Sequence, residues 1–355
     1  MNSSLAAPVV HLADPADQSR WDDYVLSHPE ASPYHLFAWK QAIETTYGHR
    51  CYYLYAEQNH QVVGILPLVR LHLPGVVDEL TALPYCDLGA SLSDSDQVQD
   101  ALLQEAVALQ QQLKIQKIHL RGPLRETELT KNLLQPEATG KVSMLLALPP
   151  SAETLFAGFK SKLRSQIRKA EKNGVTFRWG GREDLAAIYS VFAHNMRDLG
   201  SPVHSKRWLA SVLALYAERA KAGLVYFGNN PIGMGVILLG GQGVSIPWAS
   251  TLRGYNHLGS NMLLYWHFLQ YSADHGFASF DFGRSTEDEG TYKFKRQWGA
   301  VPQPLPWYTS IPTSKKNNPS PSRSNRRHLA AALWRKLPLP IANAIGPSFR
   351  KYISL

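Results

Sequence analysis

Hydrophobic and polar positions divide the first 311 residues into two halves with a similar order of elements. Short alternating or apolar runs predict strands, and apolar residues spaced three to four positions apart predict helices. In the first half the predicted strands are 8–12, 52–56, 62–71, 80–83 and 115–120. The predicted helices of that half are 14–27, 34–47 and 97–113.

The second half repeats this order after a helix that we expect to begin at Ser151, a typical N-cap residue, and to end before Gly174. Its predicted strands are 175–178, 224–227, 232–239, 244–249 and 278–282. Its other predicted helices are 184–199, 206–222 and 261–275. The order β-α-α-β-β-β-α-β therefore occurs twice. It predicts an α/β protein made by tandem duplication, with domains at 1–145 and 146–311.

The positive charge of the chain is concentrated at its end. The chain has 37 Lys and Arg against 28 Asp and Glu, and nine of the basic residues follow Pro312, where no acidic residue occurs. The rest of the chain is therefore formally neutral. Attraction to phosphate or lipid should act through the tail, and the charge pattern gives no reason to expect DNA binding.

The tail divides into two segments of different composition. Residues 312–327 are rich in Pro, Ser, Asn and Lys and are predicted to be a disordered linker. Residues 328–355 mix apolar with basic residues and are predicted to be a basic amphipathic tail, with two short segments hinged around 337–340 by prolines. We expect this tail to dock on an anionic membrane surface. The alternative is that it folds back and covers an apolar strip of the C-terminal domain.

Cysteine usage and hydropathy indicate the compartment. Cys51 and Cys86 lie in apolar, aromatic stretches, which is typical of buried thiols in a reducing compartment. The Cys and His spacing predicts no metal site. No apolar run approaches the ~20 residues needed to span a bilayer, and the first ten residues do not resemble a secretory signal. We expect a cytoplasmic protein, peripheral on the inner face of the cytoplasmic membrane if the tail docks there.

Residues 280–299, FDFGRSTEDEGTYKFKRQWG, carry the densest candidate chemistry. A predicted strand delivers Asp281, Gly283 allows a sharp turn, and Arg284 follows. After an acidic loop, basic and aromatic residues alternate up to Trp298. Arg and Lys at the end of a strand are suited to hold phosphate or carboxylate. The alternative is a surface strand with solvated lysines and a packed tryptophan.

This stretch resembles the C-terminal signature of the FemAB/FemX peptidoglycan aminoacyltransferases, in which an Asp-Phe-Gly turn leads to Tyr-x-Phe-Lys and an aromatic-Gly pair. It is most similar to Fem-like proteins associated with PEP-CTERM/exosortase and exopolysaccharide loci. Other segments agree with that group in the same order. They are YGH at 47–49, VGILPL at 63–68, LPYCD at 83–87, LRSQIRKA at 163–170 and MRDLGSPVH at 196–204.

The resemblance implies two tandem GNAT-like domains with mixed central sheets, and an acceptor site in the cleft between them. An amine attacks an activated ester there, and no metal takes part. Asp87 matches the acid of the family's Gly-Pro-x-x-Asp motif, although Leu83 replaces its glycine, and is expected to be the catalytic base or amine-orienting group. The residues expected to bind substrate are Arg284, Tyr292, Lys293, Lys295, Arg164, Arg168, His204, Trp248 and Ser250.

The donor has two candidates. The family's donor is an aminoacyl-tRNA, but the long coiled-coil arm found in many members is reduced here to residues 151–173. The alternative is acyl-CoA, whose diphosphate binds at a helix N-terminus. Gly259, Ser260 and Asn261 precede the predicted helix at that position and are the candidate cofactor-binding residues, with Asn261 equally suited to be an ordinary N-cap. We expect a co-substrate of one of these kinds and no tightly bound cofactor.

Three functional hypotheses remain open from the sequence. The first is a Fem-like transfer of an aminoacyl or acyl group to an amine of a peptidoglycan or exopolysaccharide precursor. The second is an acyl-CoA-dependent N- or O-acyltransferase in polysaccharide or lipid assembly. The third is a non-catalytic binding module.

Overall fold

A computed structural model describes residues 6–311 and 323–355 of the chain. Through residue 147 the elements are β1 (Val9–Leu12), α1 (Gln18–Ser27), α2 (Phe37–Tyr47), β2 (Cys51–Gln58), β3 (Gln61–Leu73), β4 (Val77–Ala82), β5 (Leu92–Ser93), α3 (Asp96–Gln112), β6 (Lys117–Arg121), α4 (Glu128–Leu133), β7 (Leu134–Glu137) and β8 (Lys141–Ala147). The later elements are α5 (Ala152–Gly158), α6 (Ser161–Lys172), β9 (Val175–Gly180), α7 (Leu185–Leu199), α8 (Lys206–Tyr216), β10 (Ala220–Phe227), β11 (Asn230–Leu239), β12 (Gly243–Thr251), α9 (Ser260–Asp274), β13 (Ser279–Thr286), α10 (Gly290–Gln297), β14 (Val301–Pro304), β15 (Trp307–Ser310), α11 (Arg323–Trp334) and α12 (Leu339–Arg350).

The strands form two mixed sheets. The first has the order β1-β2-β3-β4-β6-β15-β7, with β5 beside β3, and the second has the order β14-β8-β13-β12-β11-β10-β9. Each sheet contains one parallel pair, β4 with β6 in the first and β12 with β13 in the second. In both cases a long helix, α3 or α9, connects the two parallel strands, as a crossover requires. The two sheets are therefore equivalent in construction.

Two strands cross the predicted division of the chain. β8 begins at Lys141 and pairs with β13 and β14 in the second sheet. β15 lies within the predicted second domain, yet it pairs with β6 and β7 in the first sheet. The domain bounds at residue 145 stay a prediction, and the chain links the two sheets at both places.

A histidine ties the last strands of the first sheet together. His119 on β6 lies between Glu79 of β4 and Glu137 of β7, with ring nitrogens 3.3 Å and 3.4 Å from their carboxylate oxygens. Burial alone would lower the pKa of His119, but the hydrogen bonds and charges of the two glutamates raise it to about 9. The charged imidazolium therefore links β6 to its neighbour β4 and, across β15, to β7.

An aromatic core joins the two halves. Trp39 of α2 packs edge-on against Trp208 of α8, at 5.1 Å between ring centroids, and stacks over Trp248 of β12 at 6.4 Å. These three side chains are almost fully buried in one continuous cluster that includes residues of both halves. The hydroxyl of Tyr216 donates across the junction to the carbonyl of Pro33 at 2.8 Å. Buried aromatic contacts of this extent hold the halves in one arrangement.

The helix predicted at 206–222 ends at Tyr216, because β10 begins at Ala220, and the sequence did not predict α4, β5, β7, β8, β14 or β15. Two further differences concern the surroundings of the site. The single helix predicted from Ser151 is two helices. Ser151 does cap α5, accepting from the backbone of Thr154, but the chain turns at Phe159, whose ring packs 5.6 Å from that of Trp298. Arg164 stabilises the break, because its Nη1 donates to the carbonyls of Ala157 and Phe159 at 2.8 Å each.

The second difference lies after Arg284. The basic and aromatic residues that were expected to extend from a strand end as a loop form helix α10 instead. Its buried side chains are Tyr292 and Lys295, and Trp298 follows at the same spacing of three. That spacing places all three on one helical face against the core.

The tail forms two short helices, as the prolines predicted. α11 and α12 are separated by residues 335–338, close to the predicted hinge. Of the predicted linker, residues 312–322 lie outside the described part of the chain, and residues 323–327 belong to α11. α12 packs against α7 through Ala342 and Gly346, so the tail folds back on the C-terminal half.

Candidate active site

Two strands separate in the second sheet and open a space beside the first. β12 and β13 pair only from Gly243–Ser245 to Ser279–Asp281. Beyond that point β12 remains paired with β11 and β13 remains paired with β8, so β12 and β13 diverge. An inter-domain cavity of about 250 Å³ lies next to this divergence, and its walls include Tyr34, Asp87, His204, Trp248 and Arg284. Cavities between domains are common substrate sites.

The predicted acid and the predicted arginine meet in this inter-domain cavity. Asp87 belongs to the loop after β4 in the first half, and Arg284 to β13 in the second. One carboxylate oxygen of Asp87 accepts from the backbone N–H of Arg284 at 3.0 Å, and the other lies 3.4 Å from its Nε. Both side chains are partly exposed, at 24% for Asp87 and 30% for Arg284. The pair joins the two halves and remains accessible to a ligand.

Gly283 permits this approach. It adopts φ +73, and a Cβ built there would lie 3.2 Å from a carboxylate oxygen of Asp87. The register of β13 against β8 shifts between Asp281 and Arg284, which is a bulge at this glycine. The bulge redirects the backbone N–H and the side chain of Arg284 towards Asp87.

The loop that carries Asp87 is strained. Leu83 and Tyr85 adopt positive φ values of 44 and 72, which cost a non-glycine residue about 1–2 kcal/mol each. Leu83 occupies the position that is glycine in the Fem-like proteins. It nevertheless adopts the positive φ that glycine favours. Strain held in place by surrounding contacts is typical of functional loops.

Lys295 supports the turn from below. It is buried, and its Nζ donates to the carbonyls of Gly283 and Arg284 at 2.9 Å and 2.8 Å. Burial lowers the pKa of Lys295 to about 8, although Asp87 and Asp281 oppose the shift. Burial also raises the pKa of Asp281, against hydrogen bonds from Ser143 and Gly283. Lys295 and Asp281 therefore position Arg284 rather than face the cavity.

His204 lines the inter-domain cavity and has one ring nitrogen without a hydrogen-bond partner among the described residues. Its Nδ1 lies 2.6 Å from the hydroxyl of Tyr47, and within the described part of the chain its Nε2 has no hydrogen-bond partner although the ring is 1% exposed. Burial, followed by the positive charge of Arg350, lowers the pKa of His204 well below its usual range. The neutral imidazole is thus a hydrogen-bonding group for a ligand and a weak proton acceptor.

A second cavity, of about 410 Å³, lies at the N-terminus of α9. Gly259 and Asn261 are in its wall, together with Lys169 of α6. Gly259 has φ +84, ends the preceding turn and is the N-cap of α9, where its carbonyl accepts a hydrogen bond from the N–H of Met262 at 2.9 Å. We call this the α9 cavity. Its helix terminus and lysine suit an anionic group.

The remaining predicted residues lie elsewhere. Ser260 is buried and is not in the wall of the α9 cavity. Ser250 of β12 is buried, and its hydroxyl accepts a hydrogen bond from the side chain of Asn195 at 3.0 Å. The guanidinium of Arg164 is engaged in hydrogen bonding to the end of α5. The guanidinium of Arg168 lies over the ring of Phe156, 5.3 Å from its centroid.

On α10, the ring of Tyr292 is buried and carries the guanidinium of Arg296 at 5.9 Å. Lys293 is exposed on the same helix. Neither side chain belongs to the wall of the inter-domain cavity. Of the predicted binding residues in the C-terminal signature, Arg284 contacts Asp87, and Lys295 supports Arg284 from within the fold.

Three basic residues at the two cavities were not among the predicted site residues. Arg121 ends β6, is 4% exposed and donates to the carbonyl of Cys86 beside Asp87. Arg350, the last residue of α12, lines the inter-domain cavity. Lys169 lines the α9 cavity, one position along from the predicted Arg168. No local sequence signal marks Arg350 or Lys169, because their positions depend on contacts across the fold. Arg121 had one signal, since it directly follows the predicted strand 115–120.

Comparisons with known proteins agree with this architecture. Residues 157–296 match the family described as acetyltransferase (GNAT) domain. No curated protein matches the chain. The crystal structure of FemX is similar at 14% identity over 85% of this chain and 96% of that one, with a TM-score of 0.66.

Two further solved structures are similar over most of their length. L-PGS from Bacillus licheniformis has 12% identity, covers 92% of this chain and 99% of that one, and has a TM-score of 0.56. A tandem GNAT protein from the clavulanic acid biosynthesis pathway has 11% identity over 87% and 99%, with a TM-score of 0.54. At such identities the likeness is one of fold.

The fold and the family match define the class of this protein. It is an α/β protein with two tandem GNAT-like domains, as the sequence predicted. It is a transferase enzyme of the acyltransferase kind. Within the described residues, no helix has the length and apolar character needed to cross a membrane.

Proposed function

We propose that this protein transfers an acyl or aminoacyl group to an amine of a cell-envelope precursor, either peptidoglycan or exopolysaccharide, in the inter-domain cavity. The observation that carries the proposal is the contact of Asp87 with Arg284 across the two halves, in the wall of a cavity that a ligand can enter. The sequence resemblance to Fem-like proteins supports the choice of acceptor.

The chemistry requires few groups. The amine nitrogen attacks the carbonyl carbon, a C–N bond forms, and the bond to the sulfur or oxygen of the donor breaks. The departing thiolate or alkoxide takes up the proton that the amine releases. Asp87 accepts a hydrogen bond from the N–H of the amine and thereby orients the lone pair of the amine nitrogen. Arg284 holds the carboxylate of Asp87 in place. Since Asp87 already accepts a hydrogen bond from the backbone N–H of Arg284, we assign it the amine-orienting role rather than that of the catalytic base.

For the donor we propose an acyl thioester with a diphosphate, such as acyl-CoA. The α9 cavity offers the N-terminus of α9, Lys169 and a glycine with φ +84, a combination that suits a diphosphate. α5 and α6 pack on α9 as short helices and offer no extended arm for tRNA. An aminoacyl-tRNA donor remains the second candidate, because FemX shares the fold.

The test combines two assays on the full chain. A thermal-shift comparison of acetyl-CoA with aminoacyl-tRNA identifies the donor, and release of the donor's leaving group in the presence of amino sugars or peptidyl amines measures transfer. Asp87→Asn should reduce turnover about 100-fold, since it replaces the carboxylate that orients the amine with a neutral amide. Asp288→Asn is the matched control, because Asp288 is exposed with φ 62, which Asn tolerates.

Two results would contradict the proposal. Turnover that is equal in Asp87→Asn and Asp288→Asn would remove Asp87 from the reaction. Stabilisation by aminoacyl-tRNA without any response to acetyl-CoA would overturn the thioester donor and leave the FemX-like one.

We further propose that the tail brings the enzyme to an anionic membrane surface, where lipid-linked acceptors would lie. α12 turns Ala342 and Gly346 inward, and Ile341 and Ile345 are exposed on the neighbouring face. Leu333 of α11 is also exposed, at 60%. The tail carries basic residues and no acidic ones, which is the charge complement of anionic lipid.

A further inference from the structure

The C-terminal segment, residues 339–355, reaches the inter-domain cavity and forms part of its wall. α12 lies so close to the loop after α7 that a Cβ on Gly346 would be 3.2 Å from the backbone nitrogen of Val203. After α12 the chain follows the Asp87 loop, and the carbonyl of Ser354 accepts from the N–H of Tyr85 at 2.8 Å. Arg350 and Leu355 then line the cavity.

Further contacts hold the C-terminal segment in place. Arg121 donates to the hydroxyl of Ser354 at 2.7 Å, and His49 lies 2.8 Å from the carbonyl of Lys351 through its Nε2. Tyr85, one of the two strained residues of the Asp87 loop, also donates its hydroxyl to the carbonyl of Lys351. The segment therefore fixes the loop that positions Asp87, and its docking is coupled to the geometry of the site.

Arg350 is a charge without a counter-charge. Within residues 6–311 and 323–355 it forms no ion pair, its Nε is buried with no hydrogen-bond partner, and its Nη1 donates to the carbonyl of Ile353. Its guanidinium lies 5.8 Å from the ring of Tyr85. Residues 1–5 and 312–322 contain no Asp or Glu that could pair with it. A charged group with a buried, unpartnered nitrogen is costly unless an anion pairs with it.

The inter-domain cavity thus contains one guanidinium, that of Arg350, without an ion-pair partner within the described part of the chain. Its other charged side chains, Asp87 and Arg284, pair with each other, and Leu355 also lies in its wall. Beside these charges, the Nε2 of His204 is a second buried polar atom without a partner. Two guanidinium groups and one open imidazole nitrogen together match the oxygens of a phosphate or a carboxylate.

We propose that Arg350 and Arg284 bind an oxyanion, a phosphate or a carboxylate group, in the inter-domain cavity, so that the C-terminal segment supplies part of the binding site. The identification of this anion as a group of the acceptor rests on the proposed function. The binding itself does not, because it follows from the unpaired guanidinium of Arg350 in the cavity wall. The anion neutralises Arg350 and thereby fastens the segment over Asp87.

The experiment measures anion binding to the full chain by calorimetry, with inorganic pyrophosphate in one arm and malonate in the other. Arg350→Gln should weaken binding at least tenfold, which corresponds to a lost charge-assisted hydrogen bond. Lys336→Gln is the matched control, because Lys336 is exposed in the same tail outside the cavity. Lys169→Gln separates this site from the α9 cavity, since it should leave the Arg350-dependent binding unchanged.

A second measurement guards against misfolding of the variant. Arg350→Lys keeps the charge and should retain part of the binding, and the bound anion should slow proteolysis between α11 and α12 in the wild type but not in Arg350→Gln. Preference for pyrophosphate identifies a phosphate group, and preference for malonate identifies a carboxylate.

Equal affinity of wild type and Arg350→Gln for both anions, or binding of neither, would overturn the proposal. Anion binding without any transfer would contradict the proposed function alone. Transfer that Arg350→Gln leaves unchanged would contradict only this inference.

Discussion

Lys295→Met offers a direct test of how the floor of the site is built. Lys295 is buried under the turn at Gly283, and both of its hydrogen bonds go to neutral carbonyls, so among the described residues its charge has no ionic partner in direct contact. Burial lowers its pKa from 10.5 to about 8. In the unfolded chain the amine keeps the higher value, so the folded state binds this proton less tightly than the unfolded state.

The sign of the pH dependence follows. Between the two pKa values the unfolded chain holds more protons, and the free energy of unfolding therefore rises with pH. The contribution of Lys295 is complete above about pH 10.5 and is lost as the pH falls to about 8. The full difference is about 3 kcal/mol. Between about pH 7.5 and 9.5, below the ionisation of most tyrosines, roughly 2 kcal/mol of it should be measurable.

Urea unfolding of wild type and Lys295→Met across this range supplies the measurement. Wild type should gain stability relative to the variant as the pH rises. Lys293→Met is the control, since it removes an exposed charge two residues away on α10, and its curve should run parallel to that of wild type. A constant difference between wild type and Lys295→Met would show that Lys295 is not buried as a cation, and the account of the turn would be wrong.

Two further predictions use the same logic. Because the raised pKa of His119 is about 9, its stabilising effect is complete below about pH 6.5 and is lost as the pH rises to about 9; the stability advantage of wild type over His119→Gln should shrink by about 3 kcal/mol across that range in urea titrations. Gly283→Ala should lose about 1–2 kcal/mol of stability and most transfer activity, since its Cβ approaches Asp87, whereas Gly276→Ala, with φ +75 and open space around it, should lose stability alone in paired thermal and turnover assays.

The sequence predicted the order of elements because each half alternates strand and helix patterns with clear turns. β2 and β3, for example, turn at Asn59 and His60, which both have positive φ as a tight hairpin requires. α10 was missed because the alternation of basic and aromatic letters suggested an extended segment. Its spacing of three from Tyr292 to Trp298 was the helical signal.

The site was predictable to the extent that it rests on short motifs. Asp87 and Arg284 each belong to a segment that resembles the Fem-like proteins, and both lie at the inter-domain cavity. Arg350 could not be predicted, because 66 residues separate it from Arg284 and only the packing of α12 on α7 brings them together. The composition of the tail predicts the sign of its charge. It does not predict which basic residue the fold places at the cavity.

The tail also allows a decisive test of membrane binding, because its inward and outward faces are distinct. Ile341 and Ile345 are 48% and 38% exposed, four residues apart on α12, and neither lines the inter-domain cavity. Insertion of such side chains and about 1 kcal/mol for each nearby Lys or Arg would hold the protein reversibly on anionic lipid.

Co-sedimentation with phosphatidylglycerol vesicles should therefore decrease strongly in the double variant Ile341→Ser, Ile345→Ser. It should not decrease in Val76→Ser, Val301→Ser, which removes exposed aliphatic side chains elsewhere on the protein. Binding should also fall as salt is added and be weak on phosphatidylcholine, since the charge of the tail acts over roughly 10 Å at moderate ionic strength. If both double variants sediment like wild type, or if salt has no effect, the outer face of α12 is not a membrane surface. The tail then serves the inter-domain cavity alone.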